Sequence, residues 1–60
     1  MSTNERHARR MVRASKVTKL VCGEWELMHI PSGVVVKLFA AEPTEEQVLA
    51  ACRNYAAGRA

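Results

Sequence analysis

Residues 24–39, EWELMHIPSGVVVKLF, contain two apolar runs on either side of the turn sequence Pro31-Ser32-Gly33. The first run opens with alternating polar and apolar residues, a pattern typical of a half-buried strand. The second run is rich in valine, and its even positions are all apolar. Two such runs around a Pro and Gly turn predict a β-hairpin. We therefore expect strands at about residues 24–30 and 34–40.

The residues before the hairpin predict a helix and a further strand. Residues 17–22 are rich in β-branched side chains, and Gly23 follows them as a turn or bulge. They form either a third strand or the first part of one long strand. In residues 3–16, Ala8, Met11 and Val12 recur at helical spacing, and Ser2 with Glu5 fits a capping box. This segment is predicted to be a basic amphipathic helix.

The residues after the hairpin predict a C-terminal helix at about residues 44–57. Pro43 ends the strand, and Thr44-Glu45-Glu46-Gln47 is a second capping box. Gly58 suits the position just after the helix. The predicted fold class is therefore α+β: a small antiparallel β-meander of two to three strands, packed by this helix and preceded by the basic one. The predicted core comprises Leu20, Trp25, Leu27, Val34, Val36, Leu38, Val48, Cys52 and Tyr55.

The length of 60 residues allows one domain, with a basic helix or arm at 1–16 and a sheet-plus-helix body at 17–60. One helix cannot cover both faces of the last strand. If it covers the even positions, Val35, Lys37 and Phe39 are left on the other side. Their cover would be the N-terminal helix, another copy of the chain or a partner protein. The candidate residues for a protein interface are Trp25, Val35, Lys37 and Phe39.

The charge of this chain is unevenly distributed. Nine Lys and Arg against six acidic residues give a net charge of +3, but residues 1–19 carry +5 and the remainder −2. Such a basic segment attracts nucleic acid or acidic protein surfaces. The alternative is a solvated arm that aids solubility. The candidate nucleic-acid-binding residues are Arg6, Arg9, Arg10, Arg13, Lys16 and Lys19.

Motifs for catalysis and cofactor binding are absent from the sequence. It has no glycine-rich phosphate-binding motif and no G-x-S-x-G elbow. Glu24 and Glu26 form a carboxylate pair, but so small a domain offers no cleft to desolvate them. The side chains of His7, Cys22, His29 and Cys52 lack the short spacing of zinc sites, and both cysteines are interpreted as buried thiols. We expect no enzyme activity, no catalytic residue, no metal and no cofactor.

Cellular location follows from similar features. No secretory signal is recognisable in the first twenty residues, and no apolar run approaches the roughly 20 residues that span a bilayer. We therefore expect a cytoplasmic protein with no membrane partner.

Three groups of proteins share parts of this pattern. The order strand, strand, strand, helix, with Gly23-x-Trp25, Ser32-Gly33, Phe39 and Thr44-Glu45-Glu46, resembles the arm-type DNA-binding domains of tyrosine integrases. With the first helix included, the order is similar to that of double-stranded-RNA-binding domains. The shape also resembles small phage proteins that block a host enzyme by docking on it. These resemblances imply binding to DNA, RNA or a protein, and they concern architecture alone.

The sequence therefore predicts a small non-enzymatic binding protein that acts in nucleic-acid transactions. Its size is typical of proteins from phages and mobile elements. Its partner is nucleic acid or a nucleic-acid-associated protein, and a homodimer is an open alternative. The second prediction is a protein–protein inhibitor or adaptor. In that case an exposed sheet face docks on a larger host protein or a nucleoprotein complex.

Overall fold

The computed structural model describes residues 3–58, with side chains from Glu5 to Gly58. The elements are α1 (Thr3–Arg13), β1 (Ser15–Lys19), β2 (Trp25–His29), β3 (Val34–Phe39) and α2 (Glu45–Ala56). The strands form one antiparallel sheet in the order β1-β2-β3. The predicted α+β class, with three strands between two helices, is confirmed. Ser2, the predicted N-cap of α1, lies outside the described residues.

Helix α1 ends earlier, and β1 begins earlier, than the sequence predicts. The Ser15 hydroxyl donates to the Met11 carbonyl at 2.6 Å, so it satisfies a carbonyl of the last turn. The chain then enters β1 directly, and Ser15 pairs with His29. The strand predicted at 17–22 therefore begins two residues earlier and ends three residues earlier, at Lys19. As a consequence Cys22, predicted as buried, lies exposed in the β1–β2 loop.

Helix α2 has the ends that its sequence predicts. The Gln47 amide donates to Thr44 Oγ1 at 3.2 Å, and the Thr44 amide donates to Gln47 Oε1 at 2.9 Å, which is a complete capping box. At the other end, Gly58 follows the C-cap Ala57 with a φ of 75°. Glycine adopts this left-handed conformation without steric cost.

A β-bulge in β3 changes which side chains face the core. Leu27 pairs with Lys37, but Met28 pairs with Val35, so Val36 is an extra residue on β3. An extra residue reverses the alternation beyond it. Val36 is buried, whereas Leu38, two positions later, is 48% exposed. Phe39 packs against the core instead. The prediction that Leu38 lies in the core and Phe39 outside it is therefore wrong.

Both helices pack on the same face of the sheet. A single buried cluster joins α1, the sheet and α2, and consists of Ala8, Leu27, Val36, Val48, Ala51 and Cys52. Helices α1 and α2 also contact each other. Four of the predicted core residues are thus confirmed. Leu20 and Trp25 are half-buried, whereas Val34 and Tyr55 are 36% and 37% exposed.

The opposite face of the sheet is covered by neither helix. By register and alternation it carries Lys16, Thr18, Glu26, Met28, Val35 and Leu38, and we call it the outer face. Its apolar centre is partly accessible, since Val35 is 45% exposed and Met28 is half-buried. The N-terminal helix, one of the three covers considered for the second face, therefore does not cover it.

Candidate functional site

Helix α1 presents four arginines on one side. Ala8 is fully buried, with Met11 and Val12 packed beside it, so the opposite side of the helix faces solvent. That side carries exposed guanidinium groups that together line one open hollow of about 350 Å³. They belong to Arg6, Arg9, Arg10 and Arg13. We call these residues the arginine face. They span about 10 Å along the helix axis at 1.5 Å per residue.

An ion pair fixes α1 on α2. Arg53 of α2 donates from Nε to Glu5 Oε2 at 2.8 Å and from Nη2 to Oε1 at 3.3 Å. Such a two-point contact between a guanidinium and a carboxylate is geometrically specific. The hydrogen bond from Arg53 is the main cause that lowers the pKa of the Glu5 carboxyl. Glu5 also lies 3.6 Å from Arg9 Nε, one turn along α1.

The arginine face therefore carries positive charge that is only partly neutralised. Arg9 shares Glu5 with Arg53. Within residues 5–58 no acidic side chain forms an ion pair with Arg6, Arg10 or Arg13. A concave group of guanidiniums that is only partly neutralised is suited to bind phosphate oxygens, which accept hydrogen bonds in the plane of the guanidinium fork.

The sequence suggested that Lys16 and Lys19 extend the arginine face along the helix, but they do not. Both lie on β1, and their odd and even positions place them on opposite sides of the sheet. Lys16 pairs with Met28 and belongs to the outer face, while Lys19 pairs with Trp25. Both are exposed.

The predicted interface residues are divided between the two faces of the sheet. Trp25 and Phe39 are directly paired, and the Lys37 ammonium lies 5.4 Å from the centre of the Phe39 ring. These three are therefore close together on the side of the sheet that the helices cover. Val35 lies on the outer face. The bulge at Val36 places Val35 on the opposite face from the other three. The sequence pattern of β3 alone does not indicate this bulge.

The structure also shows two contacts that the sequence pattern does not predict. The first is the Glu5–Arg53 pair, which joins residues 48 positions apart. The second is a Ser–His contact in the β2–β3 turn, where Ser32 Oγ lies 2.8 Å from His29 Nδ1 and accepts from the Val34 amide at 3.3 Å. Ser32 is exposed. The contact closes the turn, in the way that Ser side chains commonly do.

The remaining titratable candidates are dispersed. Cys52 is buried, and burial raises the pKa of its thiol. The exposed Cys22 thiol donates to Glu24 Oε1 at 3.7 Å. Among residues 3–58, no three His, Cys, Asp or Glu side chains are grouped so that they could hold a metal ion.

Comparisons of the chain with protein-family models, with curated proteins and with solved structures found no match. In the described part of the chain, no helix is both long and apolar enough to cross a membrane.

Proposed function

We propose that this protein binds nucleic acid without catalysing a reaction, and that the arginine face of α1 contacts the phosphates. The observation that carries the proposal is the grouping of four exposed guanidiniums around one hollow, three of them without an acidic partner among residues 5–58. Helix α1 is docked on α2, so these side chains project from a fixed support. A docked helix loses less conformational freedom on binding than an arm that must first fold.

The proposal assigns phosphate binding to α1 and so limits the contribution of the two lysines of β1, Lys16 and Lys19. Lys16 lies on the outer face, away from the side of the sheet where α1 packs. It therefore serves as a control residue of equal charge. Phosphate binding by the arginine face should depend on Arg6, Arg10 and Arg13 far more than on Lys16.

The test is fluorescence anisotropy with labelled duplex DNA and duplex RNA at low and at physiological salt. We expect micromolar binding that weakens steeply as salt rises, because bound cations release counterions from the duplex. Arg10→Gln should weaken binding several-fold, and Lys16→Gln, which removes the same charge, should have a much smaller effect. Absence of binding to both duplexes at low salt would refute the proposal.

A second candidate function uses the outer face. Met28, Val35 and Leu38 form an apolar strip on this face, and the last two are 45% and 48% exposed. Such a strip favours a protein partner, either a second copy of the chain or a larger protein that this one inhibits or adapts. The partner would bind to the outer face. Because of the bulge, Leu38 and not Phe39 lies on this face and would contact the partner.

The second candidate is tested by the size of the protein in solution. If the outer face mediates self-association, light scattering should give twice the monomer mass, and Leu38→Lys should return it to that of a monomer. A monomer whose capture of host proteins is unaffected by Leu38→Lys would argue against any use of this face.

A further inference from the structure

One end of the sheet places two lysines beside two aromatic rings. Trp25 of β2 pairs with Lys19 on one side and with Phe39 on the other, so the three side chains share a face. Lys37, two residues before Phe39, has its Nζ 5.4 Å from the centre of the Phe39 ring. We call Lys19, Trp25, Lys37 and Phe39 the sheet-end cluster. It unites one residue predicted to bind nucleic acid with three predicted to form a protein interface.

The cluster combines accessible charge with two partly buried rings. Lys19 and Lys37 are exposed, while Trp25 and Phe39 are half-buried. Phe39 packs against the core, which holds its ring in place. Lys19 and Lys37 come from the two outer strands, about 10 Å apart across the sheet, with Trp25 on the strand between them. The Lys37 ammonium lies over Phe39, and Trp25, paired between Lys19 and Phe39, is the second ring of the cluster.

We infer that the sheet-end cluster binds an unpaired nucleotide of a single-stranded nucleic acid. The base stacks on Trp25, and the ammonium groups of Lys19 and Lys37 bind the phosphates on either side. Proteins that bind single strands combine these two features, because every base has a flat apolar face and every linkage a negative charge. Paired bases stack within the duplex and cannot be reached in this way. The inference goes beyond the proposed phosphate contacts of the arginine face, since it requires an unpaired base.

Trp25 is the only tryptophan, so its fluorescence reports directly on this site. The experiment titrates the whole chain with oligothymidylate of about 12 nucleotides, and with a duplex at equal phosphate concentration, in low salt. We expect the single strand to quench Trp25 fluorescence strongly and the duplex to quench it little. Trp25→Leu should weaken single-strand binding by about 10-fold in an anisotropy assay, whereas Trp25→Phe, which keeps a ring, should weaken it less.

The lysines provide variants that leave the packed rings intact. Lys19→Gln and Lys37→Gln should each weaken quenching several-fold. Lys16→Gln is the matched control, because Lys16 lies on the same strand as Lys19 but on the opposite face. Equal effects of Lys16→Gln and Lys19→Gln would overturn the site, and so would equal quenching by duplex and single strand.

The outcome also separates this inference from the proposed function. In one outcome, single strands bind without changing Trp25 fluorescence, and Arg10→Gln weakens this binding. That result supports the arginine face and excludes the sheet-end cluster. If single strands quench Trp25 and binding is insensitive to Arg10→Gln, the cluster is supported and the arginine face is excluded. No binding of either nucleic acid at low salt overturns both.

Discussion

Glu5 forms the ion pair that joins α1 to Arg53 of α2. Its carboxylate accepts two hydrogen bonds from Arg53 and lies near Arg9, and these cations hold the pKa of Glu5 below its usual range. Because the folded-state pKa is depressed, the unfolded chain takes up this proton first as the pH falls. The stabilisation is present at neutral pH and is lost as the pH falls below about 4.3 and through the lower folded-state value.

The first prediction follows from this linkage. Thermal unfolding from pH 7 to pH 3 should show a fall in Tm that is smaller in Glu5→Gln than in the unchanged chain, and the variant should be less stable at pH 7. Gln keeps the length of the side chain and removes only the charge. Glu46→Gln is the control, because Glu46 is exposed in the first turn of α2 and forms no ion pair with a described side chain. An unchanged pH profile in Glu5→Gln would show that the pair does not stabilise the fold.

At the scale of the element, the N-terminus of α2 depends on Thr44. Its hydroxyl satisfies the Gln47 amide, which would otherwise lack a partner within the helix. We predict that Thr44→Ala lowers the free energy of unfolding by about 1 kcal/mol, measured by urea denaturation. Thr44→Ser keeps the hydroxyl and should cost much less. Equal losses in the two variants would contradict a role for the cap.

The bulge in β3 gives a second element-scale prediction, in which one substitution is compared at two sites. Leu27 is fully buried and Leu38 is 48% exposed, although the sequence pattern places both in the core. Leu27→Ala should cost about 2–5 kcal/mol, enough to leave much of so small a domain unfolded. Leu38→Ala should cost well under half as much. Comparable urea midpoints for the two variants would indicate that β3 lacks the bulge.

These two elements show what a single sequence can predict and what it cannot. The α2 cap is local, because Thr44 and Gln47 are three residues apart and interact wherever the helix forms, so the spacing alone predicts it. The bulge depends on how β3 pairs with β2. The run Val34-Val35-Val36 is apolar at every position and so favours neither register over the other. The same reasoning applies to Glu5 and Arg53, whose meeting depends on how two distant helices pack.

For the whole molecule, the side on which the helices pack determines which surfaces remain accessible. The sequence predicted one apolar face more than its C-terminal helix could cover, and the structure keeps that excess: both helices share one side, and the outer face stays open. The position of the basic residues was only partly predictable. The arginines follow from helical periodicity, whereas Lys16 and Lys19 were counted with them because the end of α1 was placed three residues too late.

The charge distribution leads to the last prediction, which concerns how binding responds to salt. If the arginine face makes the phosphate contacts, at most four cations take part, and Arg9 is partly neutralised by Glu5. The plot of log binding constant against log salt for duplex DNA should then have a slope of about −3 to −4, at roughly −0.9 for each phosphate neutralised. Arg10→Gln should make the slope shallower by about 1, and Lys16→Gln should leave it unchanged. A slope of about −5.4 would mean that six cations take part, as they would if Lys16 and Lys19 bound phosphates together with the four arginines, and the outer face would then belong to the nucleic-acid interface.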